Sequence, residues 1–265
     1  MEDQRPEDGF EEIVGDSPAL KRMLKLAIKV ARSHAPVLIL GEAGSGKELI
    51  ARAIHRISAR RNESFVKVNC VRALSAAGTL ESDLFGQENA AQDESRKIGH
   101  VELANQGTLF LDEIAHLSLK IQARLLGLLE RREIERLGGT KSVPVDVRLI
   151  ATTEYDLGER VAKEMFWGDL YDRLNVFSIP VPPLRERRED IPLLARYFMQ
   201  KFARRLKKDI ETIPDETTEF LGNSDWPGNV RQLENLIERS VILTDGSVLR
   251  VPRAGSQPDS QAQAG

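Results

Sequence analysis

A glycine-rich run of seven residues, Gly41-Glu-Ala-Gly-Ser-Gly-Lys47, constrains the fold of this chain more than any other feature. The run follows a short apolar stretch, Val37–Leu40, and precedes a segment whose apolar residues fall on one helical face. Glycines allow backbone N–H groups to turn inward around phosphate oxygens, and the start of a helix adds a field that favours anions. The pattern therefore predicts a strand, a phosphate-binding loop and a helix, in that order.

This phosphate loop (residues 41–47) and the residue after it supply most of the predicted nucleotide contacts. The candidate binding residues are Gly41, Glu42, Ala43, Gly44, Ser45, Gly46, Lys47 and Glu48. We expect Lys47 to contact the β- and γ-phosphates of a nucleotide. The eighth position holds Glu48 where the motif has Ser or Thr, so the usual hydroxyl ligand of magnesium is missing. The alternative is a glycine-rich turn between strand and helix that binds no ligand.

A second motif, Gly107-Thr-Leu-Phe-Leu-Asp112-Glu113, is an apolar strand that ends in two carboxylates. Metal-assisted phosphoryl transfer needs groups that hold Mg²⁺ and that orient the attacking water. We assign Asp112 to the metal ion and Glu113 to the water. Solvated acids at a strand end are the alternative for this motif by itself. Because it follows a phosphate loop, it predicts a site for ATP or GTP, with ATP favoured.

Apolar runs alternate with segments of helical period in the first part of the chain, which predicts an α/β protein with a parallel sheet flanked by helices. The candidate strands are Val37–Leu40, Phe65–Asn69, Thr108–Leu111, Val145–Ala151 and Val176–Pro180. Between them, Ser118–Glu130 carries apolar residues at helical spacing.

The pattern changes after Pro182-Pro183. Helical spacing begins at Ile191, and Ser224–Asn229 predicts a turn that leads into a further helix. We therefore expect an α/β subdomain at residues 10–182 and a small helical subdomain at residues 183–250. Residues 1–9 and 251–265 are polar and are expected to be disordered.

Composition bears on the compartment of the protein and on its binding to nucleic acid and membranes. Its 265 residues carry 38 basic and 41 acidic side chains, and the net charge of -3 gives no reason to expect strong nonspecific nucleic-acid binding. The single cysteine, Cys70, excludes an internal disulfide and fits a reducing compartment. The N-terminus is unlike a signal peptide, and no apolar run approaches the roughly 20 residues that cross a bilayer. We expect a soluble, cytoplasmic protein without a membrane partner.

Longer phrases of the sequence point to one family. They are Ile13-Val-Gly-Asp-Ser-Pro18, Gly41–Ala53, Phe65–Cys70, Leu80–Gly86, Gly107–Ile114, Asp169–Asn175, Pro182–Arg187 and Trp226–Arg231. Through them the chain resembles the central AAA+ domain of bacterial sigma-54-dependent transcription activators, from about Phe10 to Asp245. A Glu after the phosphate-loop Lys is usual in that family, so Glu48 fits. The resemblance implies an AAA+ P-loop NTPase fold with a five-stranded parallel sheet and a small C-terminal helical lid. It also implies a ring, typically a hexamer, with ATP and Mg²⁺ between subunits.

The resemblance further implies roles for two residues at strand ends. Asn69 matches the family's switch asparagine, which holds the catalytic glutamate, here Glu113, until the nucleotide state releases it. An amide beside Glu113 could do so by hydrogen bonding; a simple cap at the strand end is the alternative. Thr153 stands at the family's sensor position, where its hydroxyl can hydrogen-bond.

Two arginines are also assigned through the resemblance. Arg173 matches one of the arginines that enter a neighbouring subunit's site, where a guanidinium neutralises charge developing on the γ-phosphate. A surface ion pair with Asp169 or Asp172 is the alternative for Arg173. Arg231 matches the nucleotide-sensing arginine of the lid.

Three departures from the family pattern bear on function. Family members carry a Gly-Ala-Phe-Thr-Gly-Ala loop that contacts sigma-54, whereas this chain reads Asn89-Ala-Ala-Gln-Asp-Glu-Ser95, a polar and acidic segment. A Phe-Arg pair is replaced by Phe166-Trp167, so one of two expected trans-acting arginines is absent. The phrase Ala-Thr-Asn reads Thr152-Thr153-Glu154, and a carboxylate near a triphosphate is repulsive unless it is protonated, paired or turned away. ATP binding should survive these changes better than hydrolysis, and hydrolysis better than polymerase remodelling.

Two functions fit these observations. The first is an ATP-binding AAA+ domain that hydrolyses ATP to ADP and phosphate in a ring and controls transcription through sigma-54 RNA polymerase. The second is a nucleotide-binding oligomerisation module that regulates transcription without remodelling that polymerase, which the segment at residues 89–95 favours. No helix-turn-helix motif follows Leu249, so we expect no DNA-binding domain within this chain.

Overall fold

The computed structural model describes residues 10–71, 77–88 and 97–252. The chain divides into two compact units, the first within Met1–Ile13 and Pro18–Pro183 and the second within Val14–Ser17 and Leu184–Gly265. Three segments considered above lie outside the described residues: the altered segment at residues 89–95, residues 1–9, and the tail from residue 253.

A parallel sheet forms the centre of the first unit. In chain order the strands are β1 (Val37–Leu40), β2 (Phe65–Asn69), β3 (Thr108–Asp112), β4 (Glu133–Glu135), β5 (Ser142–Pro144), β6 (Arg148–Thr153) and β7 (Ser178–Pro180). The five-stranded sheet has the order β2-β3-β6-β1-β7 and is parallel throughout, whereas β4 and β5 form an antiparallel hairpin. The predicted α/β class with a five-stranded parallel sheet is confirmed.

Helices cover both faces of this sheet. They are α1 (Pro18–Ala31), α2 (Lys47–Arg56), α3 (Ala77–Phe85), α4 (His100–Leu103), α5 (Leu119–Arg131), α6 (Leu157–Ala162) and α7 (Gly168–Leu174). Successive residues of a strand point to opposite faces. Accordingly, Leu109 and Leu111 of β3 pack in one buried cluster with Leu125 of α5, while Phe110 packs in the other cluster with residues of α1 and α2. Strands buried on both faces explain why β3 reads as an uninterrupted apolar run.

One strand prediction was displaced. The sequence predicted a strand at Val145–Ala151, but β6 runs from Arg148 to Thr153. The backbone before β6 makes other hydrogen bonds: Val145 N donates to the carbonyl of Arg132 at 2.9 Å, and the carbonyl of Asp146 accepts from Gln106 N at 2.7 Å. Apolar character therefore marked the buried residues of this stretch and not the residues that pair in the sheet.

Two other boundaries also differ from the sequence predictions. β7 begins at Ser178, two residues after the predicted start at Val176, and β3 extends to Asp112. The predicted helix at Ser118–Glu130 is α5, with Ser118 as its N-cap: the Ser118 side chain accepts from Ile121 N. Ser is a preferred N-cap because its oxygen satisfies an N–H of the first turn.

The second unit is helical. Two short 3-10 turns, Leu184–Glu186 and Arg188–Asp190, lead into α8 (Ile191–Leu206), α9 (Asp215–Asn223) and α10 (Asn229–Leu243). Apolar residues of α8, including Phe198 and Phe202, lie in its core with Leu233 and Ile237 of α10. A small helical lid is thereby confirmed.

A buried carboxylate organises one edge of this unit. Asp190 is fully buried and accepts from the backbone N–H groups of Asp16 and Ser17 at 2.6 and 2.8 Å, and from the Ser17 hydroxyl at 2.7 Å. Charge-assisted hydrogen bonds of this kind are short and strong. They explain why the segment Val14–Ser17 belongs with the second unit.

Among the helices of the described part, none is long and apolar enough to cross a membrane.

Candidate nucleotide-binding site

The phosphate loop connects β1 to α2, as the sequence predicted, and two of its glycines are required by the backbone. Gly46 has φ 103°, a left-handed conformation that side-chain-bearing residues rarely adopt. At Gly41, a Cβ atom would lie 3.1 Å from the carbonyl oxygen of Val181. Glycine is therefore needed at position 46 for the backbone conformation and at position 41 for the close approach of Val181.

The start of α2 has the properties of an anion site. Its N-cap is Gly46, which has no side chain with which to satisfy the N–H groups of the first turn. Those N–H groups have no acceptor within a helix, and the helix dipole places partial positive charge at this end. The loop is thus chemically suited to phosphate oxygens.

Lys47 is the first residue of α2 and is only 7% exposed. Its Nζ lies 2.8 Å from Oε1 of Glu113 and donates to the carbonyl oxygens of Gly41 at 2.7 Å and Glu42 at 3.3 Å. The structure therefore brings the predicted phosphate-binding cation into contact with the predicted water-orienting acid.

Asp112 and Glu113 are held at the end of β3 by a residue that the sequence analysis did not select. Thr152, fully buried in β6, donates its hydroxyl to Oδ1 of Asp112 at 2.8 Å and accepts from the backbone N of Glu113 at 3.0 Å. Glu113 has φ 61°, and its Oε2 accepts from the backbone N of Glu154 at 3.0 Å. A hydroxyl at the end of the neighbouring strand was the only signal in the sequence for Thr152.

Thr153, the predicted sensor residue, uses its hydroxyl locally. The oxygen accepts from Tyr155 N at 3.0 Å and donates to the Tyr155 carbonyl at 3.3 Å, which closes the turn after β6. The backbone carbonyl of Thr153 accepts from Gly41 N at 3.2 Å. Thr153 thus borders the phosphate loop through its backbone.

Asn69 ends β2 and pairs in register with Asp112. Its side-chain oxygen accepts from Val71 N at 2.9 Å, the geometry of a strand-end cap. Within residues 10–71, 77–88 and 97–252, the hydrogen bonds and ion pair of Glu113 go to Lys47, His116, Thr152 and Glu154, and none goes to Asn69. Asn69 lies at the same edge of the sheet as the two acids but does not hold Glu113 here.

Glu48 and Asp112 share a cation that sequence reasoning also missed. Nζ of Lys67, on β2, lies 2.5 Å from Oε2 of Glu48 and 3.7 Å from Oδ2 of Asp112, and Arg52 donates to Oε1 of Glu48 at 2.8 Å. Partial burial raises the pKa of Glu48, but the hydrogen bonds from Lys67 and Arg52 outweigh it and hold this pKa below its ordinary value. Glu48 therefore stays ionised.

The thiol of Cys70 is buried and unreactive. The side chain is fully buried, and burial raises the pKa of its thiol well above the ordinary value, with the charges of Asp112 and Glu113 raising it further. Because the thiolate is the nucleophilic form, a thiol held protonated is unreactive. Cys70 therefore contributes packing behind the acids and no chemistry.

Arg173 lies on α7, with its side chain 58% exposed. Nη2 of Arg173 is 3.9 Å from Oε1 of Glu130, so its one intrachain partner among the described residues is neither Asp169 nor Asp172. Trp167, at the N-cap of α7, is 42% exposed and donates its backbone N–H to Gln122 Oε1 at 2.9 Å. Both side chains are accessible to another molecule.

Arg231 belongs to the second unit. It lies in the first turn of α10, and its side chain is exposed. Its nucleotide-sensing role stays a prediction.

A parallel sheet with the order β2-β3-β6-β1-β7, a phosphate loop after β1, an acid pair after β3 and a helical lid define a P-loop protein of the AAA+ class. The sigma-54 interaction domain matches residues 13–180, and the AAA+ ATPase lid domain matches residues 185–262. The chain belongs to the family of sigma-54 interaction domains, the AAA+ domains of sigma-54-dependent transcriptional activators.

Curated relatives support the assignment. The formate hydrogenlyase transcriptional activator FhlA of Escherichia coli is 54% identical over 244 residues, which cover 91% of this chain and 35% of FhlA. The transcriptional regulatory protein ZraR of Klebsiella oxytoca is 48% identical over 239 residues, which cover 89% of this chain and 54% of ZraR. The chain thus spans about a third to a half of the length of these relatives.

Solved structures of NtrX from Brucella abortus share the fold. The complex of NtrX with ATP has a TM-score of 0.81 and 39% identity, covering 88% of this chain and 53% of NtrX. The complex of NtrX with ADP has a TM-score of 0.85 and 37% identity, covering 93% of this chain and 58% of NtrX.

Proposed function

We propose that this chain binds ATP with Mg²⁺ at the phosphate loop and hydrolyses it to ADP and phosphate within a cytoplasmic ring of identical subunits. The ring controls transcription in the manner of sigma-54-dependent regulators. The observation that carries this proposal is the contact between Lys47 and Glu113 at 2.8 Å, which joins a phosphate-binding cation to an acid placed to orient water. The ATP and ADP complexes of the relative NtrX support the choice of nucleotide.

Each predicted residue has a distinct task in this proposal. The loop residues 41–48 hold the phosphates through backbone N–H groups and through the ammonium of Lys47. Asp112 holds Mg²⁺, and its carboxylate suits a hard cation that prefers oxygen ligands. When bound, Mg²⁺ neutralises charge on the phosphates. Glu113 orients or deprotonates the attacking water, from a position that Thr152 fixes by hydrogen bonds on both acids.

The ring completes the site. Among the described residues, the exposed guanidinium of Arg173 has one long contact, at 3.9 Å, so it is available to a neighbouring subunit's γ-phosphate. The exposed Arg231 on the lid, the Thr153 hydroxyl and Asn69 beside the acids respond to the nucleotide state. A hexamer is the ring size that the family implies.

A second function is favoured by one observation. Where family members carry an apolar loop that contacts sigma-54, this chain carries the polar and acidic residues 89–95. An apolar tip packs on a partner by burying surface, which charged side chains oppose. In this second candidate, the ring binds nucleotide and regulates transcription without remodelling sigma-54 RNA polymerase, and Trp167 and Glu154 lower its turnover.

The first experiment measures ATP hydrolysis as a function of protein concentration for three proteins: the wild type, Glu113→Gln and the control Glu159→Gln. Glu159 is an exposed glutamate outside the site. We expect a rate per subunit that rises with concentration in the wild type and in Glu159→Gln, and that vanishes in Glu113→Gln although ATP still binds. A wild type that binds no ATP contradicts the proposal. ATP binding without hydrolysis at any concentration leaves the second candidate.

Promoter opening by sigma-54 RNA polymerase then separates the two candidates. If the wild type hydrolyses ATP and opens a sigma-54 promoter, the first holds. Hydrolysis without opening, on a template that a full family member opens, assigns the second.

A further inference from the structure

Among the described residues, one cluster of potential metal ligands includes the water-orienting acid. Ligand atoms of Glu113, His116 and Glu154 all lie within 4.8 Å of one another. We propose that these three side chains form an inhibitory site for a divalent transition-metal ion such as Zn²⁺. The ion would occupy Glu113 and so reduce hydrolysis. The inhibition rests on the proposed function, whereas the metal site itself does not.

Local backbone geometry explains why the three side chains converge. The 3-10 turn Ile114–His116 follows Glu113, and His116 N donates to the Glu113 carbonyl at 3.2 Å. This tight turn brings His116 back beside Glu113. Glu154 follows β6, the parallel neighbour of β3, and its N–H donates to Oε2 of Glu113 at 3.0 Å. Two adjacent strand ends and one tight turn therefore form the cluster.

The His116 imidazole is held in place by a ring contact but makes no hydrogen bond or ion pair with the described residues. The ring of His116 is partly buried and meets the ring of Tyr155 edge to face, with centroids 5.4 Å apart. The guanidinium of Arg160 lies over the Tyr155 ring, 4.1 Å from its centroid. In the described part of the chain, no hydrogen bond or ion pair engages the His116 ring or the Glu154 carboxylate. Both are available as ligands, and packing restricts the ring's motion.

Glu113 can join these ligands without leaving Lys47. The ammonium of Lys47 lies on Oε1, and Oε2 receives one backbone N–H. A carboxylate oxygen has two lone pairs, so Oε2 retains one for a metal ion. The two carboxylates bring two negative charges to the cluster, and the cation that pairs with Glu113, Lys47, lies on the other carboxylate oxygen, Oε1. The electrostatic balance within the cluster favours a divalent cation.

The donor set selects the class of metal. Imidazole nitrogen suits zinc and other first-row transition metals, whereas Mg²⁺ prefers oxygen ligands in an octahedral arrangement. One nitrogen and two carboxylate oxygens leave one further position for water on a four-coordinate ion. Mg²⁺ at Asp112 and a transition metal at the Glu113–His116–Glu154 cluster are therefore distinguishable by chemistry as well as by position.

A metal ion at this cluster acts on catalysis through Glu113. A carboxylate that is bonded to a cation is a weaker base and is fixed in direction, so it no longer orients water for attack. The phosphate loop and Lys47 are not ligands of the ion. We therefore expect Zn²⁺ to lower the hydrolysis rate while ATP affinity stays nearly unchanged.

The first test is calorimetric titration of the full chain with Zn²⁺, without nucleotide or chelator. The variants are His116→Gln and the control His34→Gln, because His34 is an exposed histidine outside the cluster. We expect one Zn²⁺ per wild-type chain, an affinity loss of at least about tenfold in His116→Gln and in Glu154→Gln, and no change in His34→Gln. Thermal unfolding confirms that each variant is folded. Absence of zinc binding in the wild type, or equal affinity in His116→Gln and wild type, overturns the site.

The second test measures ATP hydrolysis at excess Mg²⁺ with increasing Zn²⁺, each variant being compared with its own zinc-free rate. We expect His116→Gln to need at least about tenfold more Zn²⁺ for half inhibition than the wild type or His34→Gln. Zinc binding without any effect on hydrolysis overturns the inhibition. A chain that binds Zn²⁺ at the cluster but never hydrolyses ATP contradicts the proposed function and leaves the metal site standing.

Discussion

Nζ of Lys47 lies 2.8 Å from Oε1 of Glu113, and the two side chains are only 7% and 15% exposed. Removing either partner of a buried charge pair leaves the other charge uncompensated. The Lys47 ammonium therefore has two competing partners, the Glu113 carboxylate and the phosphates that the loop is built to hold. Under the proposed function, a phosphate that attracted Lys47 would loosen Glu113, and phosphate binding would be coupled to release of the acid that orients water.

Replacing Lys47 with Ala tests the phosphate side of this competition. Several charge-assisted hydrogen bonds would be lost, each worth about 1.5–3 kcal/mol, so we expect ATP affinity to fall at least about 100-fold. Calorimetry or a fluorescent nucleotide measures the affinity. The control is Lys163→Ala, since Lys163 is 65% exposed and pairs only with Glu159 in the described structure. Equal ATP affinity in Lys47→Ala and the control would remove the phosphate-loop assignment.

Thr152→Val tests the link between the two acids. Valine keeps the branched shape that suits β6 but removes the hydroxyl that bonds Asp112 and the Glu113 backbone. We expect a stability loss of about 1–3 kcal/mol, because buried polar groups lose partners, and a fall in hydrolysis of about tenfold or more. Unfolding curves and turnover at saturating ATP measure the two effects.

The neighbouring threonine provides the comparison for that variant. The Thr153 hydroxyl bonds only the Tyr155 backbone among the described residues, so Thr153→Val should weaken the turn after β6. We expect ATP binding to survive both substitutions and hydrolysis to fall further in Thr152→Val. If Thr153→Val lowers hydrolysis more, the sensor role assigned from the sequence belongs to Thr153.

The phosphate loop and the acid pair were predictable because each is encoded locally. Gly46 is required by its own φ angle, and Asp112 and Glu113 follow directly after an apolar strand. The class of fold followed from the alternation of such segments. A local pattern is sufficient where one short stretch of chain determines both the backbone and the chemistry.

Contacts made between neighbouring strands were not predictable in this way. Thr152 touches Asp112 across 40 residues of chain, and Lys67 faces Asp112 from β2. Neither follows from the sequence until the strand order β2-β3-β6 is known. The hydrogen bond from the backbone N–H of Asp16 to the carboxylate of Asp190, 174 residues away, is a further example. Sheet order and register are properties of the whole fold, and they determine which polar side chains meet at the site.

A partly buried ion pair gives a prediction about stability in acid. Nη2 of Arg60 lies 2.8 Å from Oδ1 of Asp146, and this hydrogen bond lowers the pKa of Asp146 below its ordinary value of 3.8, with burial opposing it. A carboxyl whose pKa is lowered by folding stabilises the fold above its unfolded pKa, and this contribution disappears as pH falls through the folded pKa.

Asp146→Asn should therefore be less stable than the wild type at pH 7, and the difference should shrink at pH values below about 3.8. Because Asp146 is 41% exposed, solvent screening limits the effect to about 0.5–1 kcal/mol. Melting temperatures at several pH values measure it. The control is Asp225→Asn, since Asp225 is 86% exposed and its pair with Arg188 is 3.4 Å long. A constant difference across the pH range would contradict the role of the Asp146 charge.

Arg173→Ala tests whether the site is shared between subunits. With the Arg173 side chain 58% exposed and 3.9 Å from Glu130, its loss should leave stability and ATP affinity nearly unchanged. Hydrolysis should fall by about 10³-fold if the guanidinium acts as an arginine finger. The matched control is Arg131→Ala, another exposed arginine, whose acidic partner in the described part of the chain is Glu133 at 3.6 Å.

Mixing two inactive variants separates a role in trans from one in cis. Arg173→Ala subunits keep Glu113, and Glu113→Gln subunits keep Arg173. If Arg173 serves the neighbour's site, a mixed ring contains some interfaces where an intact Glu113 meets an intact Arg173, and hydrolysis returns in the mixture. If Arg173 serves its own subunit, every site retains one defect and the mixture stays inactive. Restored hydrolysis that depends on the ratio of the two variants would establish a shared site in a ring.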